Sequence, residues 1–185
     1  MASTSSTNAM AFDAGASDAF AAEDCASDDL GTVFTRYSSY VAAISFRLLG
    51  RDHEIDDIVQ EVFLAAHRGL DNLRDPMAIK GWLATVTVRA VRRKLRFRRL
   101  RACFGLDPGT DYTSLMIDAN QEKALLIARA YQVLDQLPVD QKIAWILRHA
   151  EGESLESVAE RCGCSLATAK RRIAAAQSAL AEVAS

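Results

Sequence analysis

At 185 residues the chain suffices for one large or two small domains, and with half its residues apolar it has material for a sizeable core. A quarter of the residues are charged and only three are proline, which excludes a wholly disordered or collagen-like polymer. No run approaches the ~18 consecutive apolar residues of a membrane span, and the start lacks the basic and apolar segments of an export signal. Neither membrane insertion nor export is therefore expected, and a cytoplasmic setting is the default.

Residues 1–29 hold six acidic side chains (Asp13, Asp18, Glu23, Asp24, Asp28, Asp29) and no Lys or Arg. They show no hydrophobic periodicity and read as a disordered or weakly helical tail. The rest of the chain has 22 basic against 18 acidic residues, a net of +4.

Residues 30–100 follow a helical pattern. Val33, Phe34, Tyr37, Val41 and Ile44 begin one apolar stripe, and Ile55, Ile58, Val59, Val62, Phe63 and Ala66 form another at spacings of three and four. Gly50 and Gly69 punctuate these helices, and Asp75-Pro76 marks a turn before a third stripe at Trp82, Leu83, Val86 and Ala90. Trp82 falls on that stripe and reads as core. Asp56, Asp57, Gln60 and Glu61 lie on the outer side of the second stripe. With His53 or His67 they could be read as an acid-base site, but no partner groups elsewhere complete one, so the chain is not expected to be an enzyme. The acids read instead as a solvated face or a docking surface for a basic helix.

The third helix becomes strongly basic. Arg89, Arg92, Arg93, Lys94, Arg96, Arg98, Arg99 and Arg101 put eight positive charges into thirteen residues, which repel one another unless a polyanion neutralises them. Nucleic acid is the partner this implies, an acidic protein the alternative. Residues 101–120, with Gly105, Pro108, Gly109 and three aspartates, read as a flexible linker.

Residues 121–183 return to helical spacing, broken at Leu137-Pro138 and again near Gly152. Ser154 and Ser165 can each cap a helix, over Leu155 to Arg161 and Leu166 to about Val183. Gly163 supplies the turn between these helices, Ala159 is small at their closest approach, and Val158, Cys162, Ala169 and Ile173 form the inner face, which together read as a helix-turn-helix. Its second helix would enter a major groove, presenting Thr168, Lys170, Arg171 and Arg172, with Ser165 and the helix N-terminus open to a phosphate. Cys25, Cys103, Cys162 and Cys164 have neither disulfide-framework nor zinc-finger spacing, so no metal or cofactor is expected. Cys162 and Cys164 read as small apolar residues packed at the turn.

Two segments then resemble one family. Asp56-Asp57-Ile58-Val59-Gln60-Glu61-Val62-Phe63, with Gly81-Trp82-Leu83 and the basic helix, resembles region 2 of the extracytoplasmic-function sigma factors of the sigma-70 family. Leu134-Asp135-Gln136-Leu137-Pro138 and Ser154 to Leu180 resemble region 4. The resemblance implies an all-α protein of two small helical domains joined by a linker, a subunit that joins core RNA polymerase and recognises and helps open a promoter. By position, Asp56, Asp57, Gln60 and Glu61 would face the polymerase's clamp helices, and the turn from Leu73 to Lys80 would lie near the flipped base of the minus-ten element. Arg89, Arg92, Arg93, Lys94, Arg96 and Arg99 would hold the adjacent DNA; Ser165, Thr168, Lys170, Arg171 and Arg172 would address the minus-thirty-five element. The linker would thread toward the polymerase's active-site and RNA-exit path. An anti-sigma partner is also implied.

The chain departs from the family where Arg89 and Arg92 replace the common Asn and Asp, and where Ala175 and Gln177 follow the recognition turn in place of basic residues. These departures imply an unusual promoter preference. Two rivals remain at this point: a helix-turn-helix regulator that works without polymerase, and a degenerate sigma-like protein that sequesters a partner.

Overall fold

The computed structural model describes residues 30–50, 53–70, 75, 78–106 and 121–183, without the side chains of 121–124 and 183. The acidic tail, most of the linker and much of the turn before Ile79 lie outside the described residues. Those described form seven helices and no strand: α1 (Leu30–Leu49), α2 (Ile55–Gly69), α3 (Ile79–Cys103), α4 (Gln121–Gln136), α5 (Val139–His149), α6 (Leu155–Cys162) and α7 (Leu166–Val183). The all-α expectation is met.

In the N-terminal bundle, α1, α2 and α3 turn their apolar stripes onto one another. Val41, Ile44 and Leu48 of α1 meet Ile58 and Val62 of α2 and Leu83, Val88 and Val91 of α3 in a core where each is at most 1% exposed. Each such side chain contributes about 1.5–3 kcal/mol by leaving water. Two hydroxyls share this core without penalty because each donates to the carbonyl one turn back: Ser45 Oγ to Val41 O at 2.7 Å and Thr87 Oγ1 to Leu83 O at 2.8 Å.

Two aromatic positions refine the sequence reading. Phe34 is 46% exposed, its ring set edge-on against Phe63 with centroids 4.8 Å apart. Gly69 is the last residue of α2, and its value is close approach: a Cβ there would stand 2.9 Å from Cζ2 of Trp82. Trp82 is thus a partly buried core residue, as its stripe indicates.

The C-terminal bundle packs α4, α5, α6 and α7 around Leu134, Ile143, Ile146, Leu147, Val158 and Ala169, all buried. Pro138 ends the preceding turn and opens α5, its carbonyl accepting from the backbone N–H of Gln141 and Lys142 at 2.8 and 3.2 Å. A proline fits there because its missing N–H would have no helical partner. Lys142 is buried, yet its ammonium is bonded to Asp135 and sits 5.6 Å above the Tyr131 ring.

The two bundles touch. Helix α3 lies against α5 and α6, and α1 against α5.

Candidate nucleic-acid interface

The helix-turn-helix forms as the local sequence dictates. Ser154 Oγ accepts from the N–H of Ser157 at 3.0 Å, and Ser165 Oγ from the N–H of Thr168 at 3.2 Å, satisfying a first-turn donor in α6 and α7 respectively. Between the helices Gly163 takes φ +59°, ψ 45°, a left-handed conformation that closes α6. The N–H of Cys164 then reaches back to the carbonyl of Ala159 at 2.9 Å. Val158, Ala159, Cys162 and Ala169 are buried at the junction, with Ile173 and Cys164 partly so. Burial raises the Cys162 thiol pKa, only partly countered by Arg92, which suits a packing residue and not a reactive thiolate.

Ser165, which caps α7, and Lys170 and Arg171 on that helix are exposed. Thr168 is half-buried, its hydroxyl 2.9 Å from that of Ser165. Arg172 turns inward, its Nη2 3.2 Å from Asp140 Oδ2 in the first turn of α5. Gln177, one of the departures, accepts from Trp145 Nε1 at 2.8 Å and so ties α7 to α5.

The basic helix α3 divides into three faces. Its inner face is apolar, and Arg98 is drawn into it: the residue is 8% exposed, paired with Glu54, and donates from Nη1 toward the carbonyl of Leu49 at 3.4 Å. A second face meets α2 and the turn before it. There Arg93 pairs with Glu61, and Lys94 lies 3.4 Å from Asp57 and 3.6 Å from Glu54. The acidic surface of α2 therefore meets a basic helix of the same chain through Asp57 and Glu61, although Asp57, like Asp56 and Gln60, stays exposed.

The third face meets the C-terminal bundle. Arg92 Nη2 donates to the carbonyl of Cys162 at 3.0 Å, and its Nε lies 2.9 Å from Asp140 Oδ1. Arg96 Nη2 lies 3.2 Å from Asp140 Oδ2. Arg99 Nη2 donates to the carbonyls of Asp135, at 3.1 Å, and Leu137 at the end of α4. Arg89 is exposed and makes no ion pair among the described residues, while Arg101 reaches only the carbonyl of Leu106 at 3.1 Å. About half of the positive charge is thus met from within, by four acids, and several carbonyls accept hydrogen bonds from the arginines.

Sequence reasoning missed the residues that join the bundles. Arg47 forms a double hydrogen bond with Glu151, its Nη2 at 2.9 Å from Oε2, and this bond raises the guanidinium pKa. Tyr131, buried, donates its hydroxyl to the carbonyl of Arg47 at 2.6 Å, and that burial pushes the phenol pKa upward. No group of three or more His, Cys, Asp or Glu side chains among the described residues is arranged to hold a metal. No helix among them is long and apolar enough to cross a membrane.

The family model for Sigma-70 region 2 matches residues 33–101, and that for Sigma-70 region 4 matches residues 127–180. The chain is 34% identical over 138 residues to the ECF RNA polymerase sigma factor EcfG of Rhodopseudomonas palustris, covering 75% of each protein. It is 33% identical over 141 residues to the ECF RNA polymerase sigma factor SigM of Mycobacterium tuberculosis, covering 74% of this chain and 68% of that one. Among solved structures it resembles the sigma factor RpoE in complex with the anti-sigma factor NepR from Bartonella quintana. That likeness has a TM-score of 0.63 at 25% identity, over 83% of this chain and 95% of that one.

Proposed function

The chain belongs to the ECF RNA polymerase sigma factors of the sigma-70 family, and we propose that its two bundles divide one promoter between them. It is an alternative sigma factor that joins core RNA polymerase and directs transcription initiation at promoter DNA. The family points to a non-catalytic regulator. The observation that carries this reading is the pair of matched regions in one chain and in the family's order. A regulator acting through its helix-turn-helix alone would have no use for the N-terminal bundle.

In this reading the N-terminal bundle, about residues 30–100, offers Asp56 and Gln60 to the polymerase, with Asp57 and Glu61 beside them on α2. Arg89, Arg92, Arg93, Lys94, Arg96 and Arg99 supply the phosphate grip beside the minus-ten element, a role in which position, not base identity, is set. The C-terminal bundle, about residues 121–183, reads the minus-thirty-five element with α7. Lys170 and Arg171 are its most available side chains, Thr168 and Arg172 flank them, and Ser165 with the α7 N-terminus takes a phosphate. A good bidentate base contact would contribute about 1–3 kcal/mol of discrimination. The likeness to a sigma factor captured with its anti-sigma factor supports a similar inhibitory partner for this chain. Its place of action is the cytoplasm, where promoter DNA and polymerase meet.

Run-off transcription with purified core RNA polymerase across a promoter library tests the assignment. Transcripts that start at a defined subset of promoters, and only when the chain is added, are expected. No transcript from any template would overturn the assignment in favour of sequestration.

A further inference from the structure

The outer face of α3 ends in an apolar patch. Phe97, Leu100, Phe104 and Leu106 are each more than half exposed there, and the first three follow the three- and four-residue spacing of a single helical stripe. The patch is built into the helix end. The N–H of Gly105, at φ +67°, reaches the Ala102 carbonyl and that of Leu106 the Arg101 carbonyl, both at 3.0 Å. Such a pair of bonds closes a helix and turns the residue after the glycine back along it, which brings Leu106 toward the end of the stripe. Arg93 lies one turn before Phe97 and Arg101 one turn after it, both exposed, so positive charge frames the apolar surface.

A contiguous apolar patch with a polar rim marks an interaction site, and here the arginines set what can fill it. A second copy of this face would bring its own arginines and be repelled. The occupant has to be acidic and apolar at once. Residues 1–29 have that composition: six acids, no Lys or Arg, and Met10 and Phe12 just before Asp13. The linker, residues 107–120, brings half as many acids, and its two ends are tied to α3 and α4.

We infer that the α3 patch is the docking surface for the chain's own acidic segment around Phe12, whose ring covers Phe97, Leu100 and Phe104 while Asp13 and Asp18 meet the flanking arginines. The reach permits it. Helix α1 has 20 residues and so is about 30 Å long, and the carbonyl of Leu49 at its far end accepts from Arg98, beside Phe97. Phe12 has therefore to pass one helix length and then round the bundle, while the 18 residues that tether it to Leu30 extend up to about 60 Å. Docking takes apolar area out of water and brings anions to the arginine frame, and the tether keeps the segment at high local concentration.

Cys103, between Leu100 and Phe104 and exposed, reports on this surface in the full chain. Its alkylation by N-ethylmaleimide, read at its own peptide by mass spectrometry, is compared in wild type, in Phe12→Ser, and in Asp13→Asn combined with Asp18→Asn. Phe12→Ser is expected to speed Cys103 about three- to tenfold and the charge variant by less, since release of a tethered segment uncovers the thiol. Raising the salt to about 0.5 M should bring wild type to the rate of the charge variant, because exposed ion pairs are screened. Equal rates in wild type and Phe12→Ser would overturn the inference. Two other occupants would overturn it as well: the linker, if only Met116→Ser with Ile117→Ser speeds Cys103, and a second copy, if the rate falls as protein concentration rises. No readout involves polymerase or DNA, so the result stands apart from the sigma assignment.

Discussion

The two sides of α3 are built from different materials. Toward α1 and α2 it presents Leu83, Val88, Val91 and Leu95, with the Arg98–Glu54 pair sealed beside them. Toward α5 and α6 it presents Arg92, Arg96 and Arg99, and it also receives Arg161, whose Nη1 reaches the carbonyl of Gly81 at 3.4 Å. The first side buries apolar area that cannot be given back to water cheaply, and so it belongs to the fold. The second is held by ion pairs and hydrogen bonds of partly exposed arginines, whose net contribution is small. Charge density alone does not tell a DNA-binding residue from a structural one; the face on which it falls does.

Breaking the first side should have the largest effect. Arg98→Ala removes the guanidinium paired with Glu54 beside the N-terminal core, and it should cost about 3–5 kcal/mol of stability in chemical denaturation. By contrast Arg96→Ala, on the open side, should cost under about 1 kcal/mol, because Arg96 is 62% exposed. A result in which the two substitutions cost the same would erase the distinction between the faces. Gly69→Ala should come next, at about 1–3 kcal/mol, since its methyl would collide with the Trp82 ring and the core would have to shift.

The recognition helix gives a smaller and more specific effect. Arg171→Ala should leave denaturation midpoints unchanged and lower the salt slope of DNA binding by about one. If it moves the midpoint but not the slope, Arg171 belongs to the fold.

The smallest effect is a pH dependence. His149, whose ring lies 4.9 Å from that of Trp145, has its pKa lowered below 6.5 by desolvation and then by Arg148. The unfolded chain thus binds the proton more readily, so the stability this imparts is complete above the ordinary imidazole value and is lost as the pH falls through the depressed one. Denaturation at about pH 7.5 and about pH 5.5, roughly one unit either side of the ordinary imidazole midpoint, should show a small loss on acidification that shrinks in His149→Gln.

What could be read directly from the sequence was whatever a few neighbouring residues decide. Ser154, Gly163 and Ser165 fix two caps and a turn within a dozen positions, and that unit forms as its pattern requires. The apolar stripes likewise place Leu83, Ile58 and Val62 in the core because helical spacing alone sets the face. The contact between the bundles was not legible, since Arg92 and the Cys162 carbonyl are 70 residues apart and no local pattern announces their meeting. Nor does a charge count along the chain show that Asp140, Glu54, Asp57 and Glu61 return to α3 from elsewhere. One signal was available: Val88, Val91, Leu95 and Arg98 continue the same three-four-three spacing, which puts Arg98 on the buried face.

Footprinting of the assembled holoenzyme decides whether one polymerase-bound chain grips two separate stretches of a promoter. Protection is expected at both the minus-ten and minus-thirty-five elements, with Lys170→Ala and Arg171→Ala together thinning only the upstream one. Protection of a single stretch, or an upstream footprint indifferent to both substitutions, would contradict it.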